Sequence, residues 1–243
     1  YYDIIPIQYP ADDTTAKWRT THFDYHKFES NLLKLDILGH DDPTMIRHLM
    51  NFVEEYPDEF PFKDVDGIPL NDREVFKLFN GLESLKLDPS QTFGQTIGTT
   101  GLPEFGTQLT KDMLKDIRPQ TVDELLKISG LSHGTDVWAG NAKDFMMGTK
   151  KGYPKIPFPE LIGCRDDIMV YLISKNLPPR DAFNIMEKVR KGKGVSKEYE
   201  KMMLDYNVPA WYIESCKLIK YMFLKAHATA YVFVALRIGW FKL

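Results

Sequence analysis

From residue 108 onward the sequence carries seven successive helical signals, at 108–116, 122–128, 136–147, 159–174, 179–190, 196–206 and 209 onward. Apolar residues recur there at three-or-four spacing, and Pro, Gly and Asn punctuate the runs, so this part predicts packed helices. The first 56 residues read differently. Residues 20–25 alternate in strand fashion, 27–31 read as a turn and 32–38 as a second strand, which together predict a β-hairpin. A helix follows at 43–55, with Asp42 as N-cap, Pro43 at its first position, and Ile46, Leu49, Met50 and Val53 on the core face. The intervening 57–106 is rich in Pro, Gly, Asp and Thr around a short helix at 72–79 and predicts the lobe boundary. The expected class is α+β: a β-hairpin plus helix, then a mainly α-helical part.

The strand reading puts Leu33, Leu35 and Ile37 on one face and Lys34 and Asp36 on the other, before Gly39 ends the run. A carboxylate beside an ammonium there fits either a polar site or an ion pair at a strand edge. His22, Asp24 and His26 also share a strand face, at a spacing that suits a metal or merely an outer polar face. Asp64-Val65-Asp66-Gly67 reads as a turn.

At 243 residues, with 43% hydrophobic and 27% charged residues, the chain has the composition of a globular protein rather than a disordered one. Residue 1 is Tyr with no basic start or apolar run behind it, which predicts no secretion signal and a piece of a longer chain. The charge-free apolar run at 226–236 is too short to span a bilayer. Two cysteines, Cys164 and Cys216, cannot make a disulfide framework, and a reducing cytoplasmic setting is expected. The net charge of -3 conceals an asymmetry: residues 165–243 hold 14 Lys+Arg against 8 Asp+Glu, the remainder 17 against 26. A basic segment beside an acidic one suits a polyanion on one side and metal ions on the other, although a solvated basic face gives the same count.

Four segments in the basic part and before it carry candidate chemistry. Residues 128–136 join two predicted helices and include Ser129, Gly130, Ser132, His133 and Gly134, which suits either a phosphate held on backbone N–H groups or capping by Thr135 or Asp136. Gly163-Cys164-Arg165-Asp166-Asp167 sets one guanidinium beside two acids, for phosphate or for a structural ion pair. Arg190-Lys191-Gly192-Lys193-Gly194 is a basic glycine turn at a helix end, for tracking a phosphate backbone or as a simple C-cap with solvated charges; it is not a Walker A loop, because residue 187 is Glu rather than Gly. Lys217, Lys220, Leu224, His227 and Tyr231 fall on one stripe of a helix running through them, and would either offer ammonium, imidazole and phenol groups to a single ligand or form a basic solvated face with a buried Tyr.

In order along the chain, Thr21-His22-Phe23-Asp24, Leu33-Lys34-Leu35-Asp36-Ile37-Leu38-Gly39-His40-Asp41-Asp42-Pro43-Thr44, residues 128–138, 163–172 and 190–194, and Lys225-Ala226-His227-Ala228-Thr229-Ala230-Tyr231 resemble the bacterial C-family replicative DNA polymerases, in their PolC-type branch. The resemblance implies a partial nucleotidyltransferase-type palm over 1–105 and fingers over 106–243. It implies DNA-templated nucleotidyl transfer from dNTP to a primer 3′-hydroxyl, with two Mg2+ ions held by three aspartates, of which Asp36 is one. Lys34 would contact phosphate and Arg165 the triphosphate, joined by Arg190, Lys191 and Lys193. His227 and Tyr231 would border the nucleotide, and Ser129, His133 and Lys225 complete the substrate set. Primer-template DNA and dNTP are the implied partners, with a sliding clamp and other replisome proteins reached through other regions, and no membrane.

Two departures follow from the sequence. The family's other two aspartates lie upstream of the matched region, so this piece alone is expected to be inactive. Leu224 stands where such sequences commonly have Pro, so a continuous helix is allowed here where the family geometry has a break. The alternatives are a non-catalytic helical nucleic-acid-binding module, and a metallohydrolase built on His22, Asp24 and His26.

Overall fold

In the computed structural model, residues 3–28, 31–33, 35 and 39–243 are described. The chain forms two compact units, one through Asp41 and one from Asp42 to Leu243.

The first unit holds a two-stranded antiparallel sheet, β1 (Ile7–Gln8) paired with β2 (Thr20–Thr21), with Ile7 opposite Thr21 and Gln8 opposite Thr20. This partner strand was not the one expected for 20–25, and four residues of the expected partner, 34 and 36–38, lie outside the described residues. Backbone groups of Thr20 and Thr21 are taken by β1, and His22 N–H donates to the Pro6 carbonyl at 2.9 Å. Strand character ends at Thr21 because Asp24 accepts from His26 N–H and starts a single 3-10 turn, Tyr25–Lys27. Leu33 and Leu35, placed in a core by the strand reading, are 72% and 73% exposed and in no strand. The unit has little interior for them: among its described residues only Ile5 is buried. Lys34, Asp36, Ile37 and Leu38 lie outside the described residues.

The second unit is built from ten helices: α1 (Asp42–Glu55), α2 (Arg73–Leu78), α3 (Gln108–Ile117), α4 (Val122–His133), α5 (Lys143–Met147), α6 (Arg165–Ser174), α7 (Pro179–Arg190), α8 (Lys197–Asp205), α9 (Ala210–Leu218) and α10 (Lys225–Lys242). Local side-chain caps set four of the starts. Asp72 caps α2, Thr107 caps α3, Ser196 caps α8, and Thr121 forms a reciprocal capping box with Glu124 on α4. Asp64 accepts from Asp66 and Gly67 N–H in the expected turn.

α10 runs through the centre, burying Ala228, Val232, Ala235, Leu236 and Gly239. One core extends from Val75 through the helices to Leu236, and Phe79 meets Phe105 edge-on at 5.1 Å, so the interior does not divide at 105/106. Met50, Val53, Phe62 and Ile68 form a smaller cluster under Trp240 and Phe241. The face foreseen for α1 is the one that packs, with Met50 and Val53 buried and Ile46 against them.

Three helical expectations are revised. α4 continues to His133, so Ser129 and Gly130 lie in a helix rather than a connecting loop. The reason is close packing: a Cβ on Gly130 would lie 2.3 Å from the Gly163 carbonyl oxygen, and one on Gly163 would lie 2.2 Å from Lys127 Cγ. The helix expected over 136–147 is regular only from Lys143, because Asp136 and Gly140 have φ of 54° and 75°, while Trp138 is buried in an irregular turn. The stripe from Lys217 to Tyr231 is interrupted, since α9 ends at Leu218 and Ile219 and Leu224 have extended backbones.

Candidate functional site

The extended segment 219–224 is the seam on which the candidate residues assemble. Tyr221 carbonyl accepts from Thr135 N–H at 2.9 Å, Met222 N–H donates to the Arg190 carbonyl at 3.2 Å, and Phe223 carbonyl accepts from Arg165 N–H at 2.9 Å. One short stretch thereby ties down the end of α7, the start of α6 and the loop after α4. Gly192, at φ of 69°, lies so close to this seam that a Cβ there would be 2.4 Å from the Lys220 carbonyl oxygen.

The basic residues gather around Glu187. Arg190 grips its carboxylate with Nε and Nη2, the latter at 2.9 Å, while Lys191 Nζ lies at 3.2 Å and Arg165 Nη1 at 3.7 Å. The Arg190 hydrogen bonds hold the Glu187 carboxyl below its usual range against the opposing effect of burial, and Lys191 adds to the lowering. Arg190 is raised in return, chiefly by the same bond. Arg165 Nε is buried without a hydrogen-bond partner, its nearest carboxylate oxygen being Asp166 Oδ2 at 3.9 Å. Lys193 is exposed on the turn after α7.

A row of rings runs from the segment 219–224 into α10. Tyr221 meets Phe223 at 5.5 Å, Phe223 meets His227 at 4.7 Å, and His227 meets Tyr231 at 4.6 Å, with His133 edge-on to His227 at 5.2 Å. Burial raises the Tyr231 phenol, with Asp42 and Glu104 adding negative charge. His133 Nδ1 lies 2.6 Å from the Ser129 carbonyl oxygen and Nε2 lies 2.8 Å from Glu104 Oε2.

The acids of the Gly163–Asp167 motif serve the fold. Asp167 Oδ2 accepts from Gly163 and Cys164 N–H at 2.9 and 3.0 Å, and Asp166 Oδ2 accepts from Lys225 N–H at 2.7 Å, capping α10 from another helix. Lys225 Nζ stands 3.5 Å from Asp123 and 3.9 Å from Asp167. Burial lowers its pKa, but the Asp167 and Asp123 charges outweigh that and leave it raised. Burial, with Asp167 next, pushes the Cys164 thiol up to about 12, so it is inert as a nucleophile near neutral pH. A cavity of about 400 Å³ opens beside these groups, lined by Lys127, Asp166, Asp167, Tyr171, Tyr212 and Lys225. Its paired carboxylates make it a poor cradle for a polyphosphate.

The structure thus brings Arg165, Arg190 and Lys191 together and sets His133 beside His227 and Tyr231. It does not present the Ser129 side chain, which is 1% exposed behind the Gly130–Gly163 contact. Lys217 leaves the foreseen stripe to pair with Glu200 at 2.6 Å. His22, Asp24 and His26 do not converge: His22 Nδ1 meets Gln8 Oε1 at 2.6 Å while Asp24 caps its turn, and the one metal-competent grouping among the described residues is Glu104, His133 and His227. Two imidazoles suit a transition metal better than Mg2+, which prefers oxygen ligands, so the Mg2+ expectation stays with Asp36 outside the described residues. Glu104, Glu187, Tyr221 and Phe223 were not foreseen; Glu187 alone had a local signal, standing three and four residues before Arg190 and Lys191 on one helix.

A family profile described as the bacterial DNA polymerase III alpha subunit finger domain matches residues 42–207. A protein named DNA polymerase III PolC-type from Oceanobacillus iheyensis is 56% identical over 99% of this chain, and proteins of the same name from Bacillus cereus and Bacillus subtilis are 55% and 54% identical over the same share. In each case the chain spans 16% of the relative's length. No helix of the described residues is long and apolar enough to cross a membrane.

Proposed function

Because the chain belongs to the bacterial DNA polymerase III alpha subunit finger-domain family, we propose that it is the nucleotide-receiving part of a DNA-templated replicative DNA polymerase, with an adjoining piece of palm toward its N-terminus. The observation that carries this reading is the seam 219–224, which sets a cluster of three cations against a row of rings.

Arg165, Arg190 and Lys191 take the triphosphate of the incoming dNTP, with Lys193 on the adjoining turn. Glu187 holds the two guanidinium groups in place before the nucleotide arrives, so less side-chain freedom is lost on binding. The buried, unpartnered Nε of Arg165 is a donor that a phosphate oxygen would satisfy. His227 and Tyr231 border the sugar and base, and His133 supports His227 from behind. Lys225 works mainly by fixing the start of α10 through Asp123 and Asp167. Selection of the base rests on pairing with the template rather than on contacts to base edges.

Asp36 and Lys34 belong to the reaction centre in this reading, Asp36 as one of three aspartates for two Mg2+ ions and Lys34 toward phosphate. When bound, those ions supply Lewis-acid activation of the primer 3′-hydroxyl and neutralise charge on pyrophosphate. The other aspartates are expected in the longer protein, as are the surfaces that meet primer-template DNA, a sliding clamp and other replisome proteins. The setting is the cytoplasm, and the 243-residue piece alone does not polymerise.

Steady-state kinetics of the intact polymerase test the reading. Arg165→Ala should raise the dNTP KM at least tenfold while primer-template affinity stays within twofold. An unchanged KM for dNTP, with impaired DNA binding instead, would favour a nucleic-acid-binding module and overturn the assignment.

A further inference from the structure

We propose that Lys111 and Lys242, with Phe93 beside them, form a second nucleotide site, which holds a phosphate on the two ammonium groups and sets the attached base against the Phe93 ring. It lies at the opposite end of α10 from His227, roughly 20 Å along the axis at about 1.5 Å per residue. It does not rest on the assignment made around 219–224.

Two uncompensated charges carry the argument. Lys111 is only 7% exposed, and a lysine so deep is seldom found without an acid beside it. Its Nζ donates instead to Gln95 Oε1 at 2.7 Å and to Thr100 Oγ1 at 3.0 Å. Lys242 Nζ donates to the Gly98 and Thr100 carbonyls, each at 2.7 Å. All four acceptors are neutral, and among the described residues neither ammonium is in an ion pair.

Both lysines bond to Thr100, so the two charges are neighbours, and burial together with the Lys111 charge lowers the Lys242 pKa. Pinning residues 98–100 explains the hydrogen bonds but offsets neither charge. An ammonium has three hydrogens, so each lysine keeps one N–H for a further acceptor. A single anion with several oxygens takes both and relieves their repulsion.

The space for that anion is a cavity of about 370 Å³, within the roughly 300–1,000 Å³ of small-ligand pockets. No acidic residue lines it, unlike the cavity that holds Asp166 and Asp167. Leu85 and Leu87 supply apolar wall, and Phe93 lines the same cavity with its ring fully exposed. Phe93 and Gly94 both have left-handed backbones, with φ of 52° and 78°, a conformation that costs a bulky residue energy. A phenyl face left in water beside two cations pairs a stacking platform with a phosphate anchor, the combination that holds nucleotides without reading their sequence. The same chemistry suits a free nucleotide and a unit of a single strand.

The test irradiates the intact polymerase with 5-iodouracil in two forms, as the free deoxynucleoside triphosphate and within a short single strand of thymidines. At least one form should cross-link to Phe93, read by peptide mass, and the form that does so identifies the source of the phosphate. The yield should fall at least fivefold in Lys111→Gln and in Lys242→Gln, with matching far-ultraviolet circular dichroism, and should persist in Arg165→Ala. No cross-link at Phe93 from either form, or yields unchanged by both lysine variants, would overturn the proposal and leave the lysines as pins for residues 98–100. Loss of the cross-link in Arg165→Ala would refer the signal to the site at 219–224 and overturn it as well. A second measurement needs no variant: the form that cross-links should slow acetylation of Lys242 at least fivefold, and an unchanged rate would also overturn the proposal. The dNTP KM is read separately, so failure here leaves the assignment around 219–224 standing on its own test.

Discussion

The two compact units meet the same chemical problem, burying apolar side chains, with opposite success. In the helical unit, Phe79, Phe105, Phe145, Leu125 and Val232 are fully buried, and four of the ten helices begin at a local side-chain cap. In the N-terminal unit, strands of two residues offer no face wide enough to cover anything, and Leu33, Leu35, Trp18 and Phe23 stand exposed. The contrast teaches where each unit's stability resides: the first has little interior of its own, while the second closes one around α10.

The strongest attempt to break that contrast is truncation of apolar side chains in both units. Phe105→Ala should cost about 3–5 kcal/mol in the denaturant unfolding of the helical unit, whereas Leu33→Ala or Leu35→Ala should stay within about 0.5 kcal/mol. Comparable losses would show that the exposed leucines pack. A smaller effect is expected from Gly192→Ala, which adds a methyl group against the Lys220 carbonyl at a left-handed position and should cost about 1–3 kcal/mol by the same measurement. No loss would mean that the seam is free to yield.

The smallest effect is electrostatic and larger in the helical unit. The folded-state pKa of Glu187 lies below its unfolded value, so its contribution is complete above the unfolded value and is lost as pH falls through the folded one. Glu187→Gln should therefore flatten the acid limb of stability against pH, while Asp13→Asn, in the N-terminal unit, removes a carboxylate that the Thr15 hydroxyl also holds low but that is fully exposed, and should flatten that limb less. Identical acid limbs in Glu187→Gln and the unsubstituted chain would show that the cluster contributes nothing to folding.

Much of the helical unit was legible because its signals are local. Asp72, Thr107, Thr121 and Ser196 announce helix starts, and the Arg190–Gly194 turn ends α7 where its glycines predict. What escaped was fixed by distant partners. Residues 216–233 keep helical spacing, yet 219–224 are drawn out because Thr135, Arg165 and Arg190 supply backbone partners from three other places. Gly130 looks like a loop residue until Gly163 explains it as a point of close approach. β2 showed its strand character but not that Ile7 and Gln8 would pair with it. Of the candidate site, the cations and the rings of His133, His227 and Tyr231 were named in advance, whereas Tyr221, Phe223 and Glu104 were not; nothing near Glu104 in sequence hints at an imidazole 29 residues away.

The seam also sets how the site must behave mechanically. Its backbone is bonded to Thr135, Arg190 and Arg165 within three consecutive residues, 221–223, and a chain cannot stretch. A displacement of α10 along its axis would load all three attachments at once, so the cationic wall and the aromatic wall travel together as a single jaw, and their spacing survives any swing of the helix that carries them.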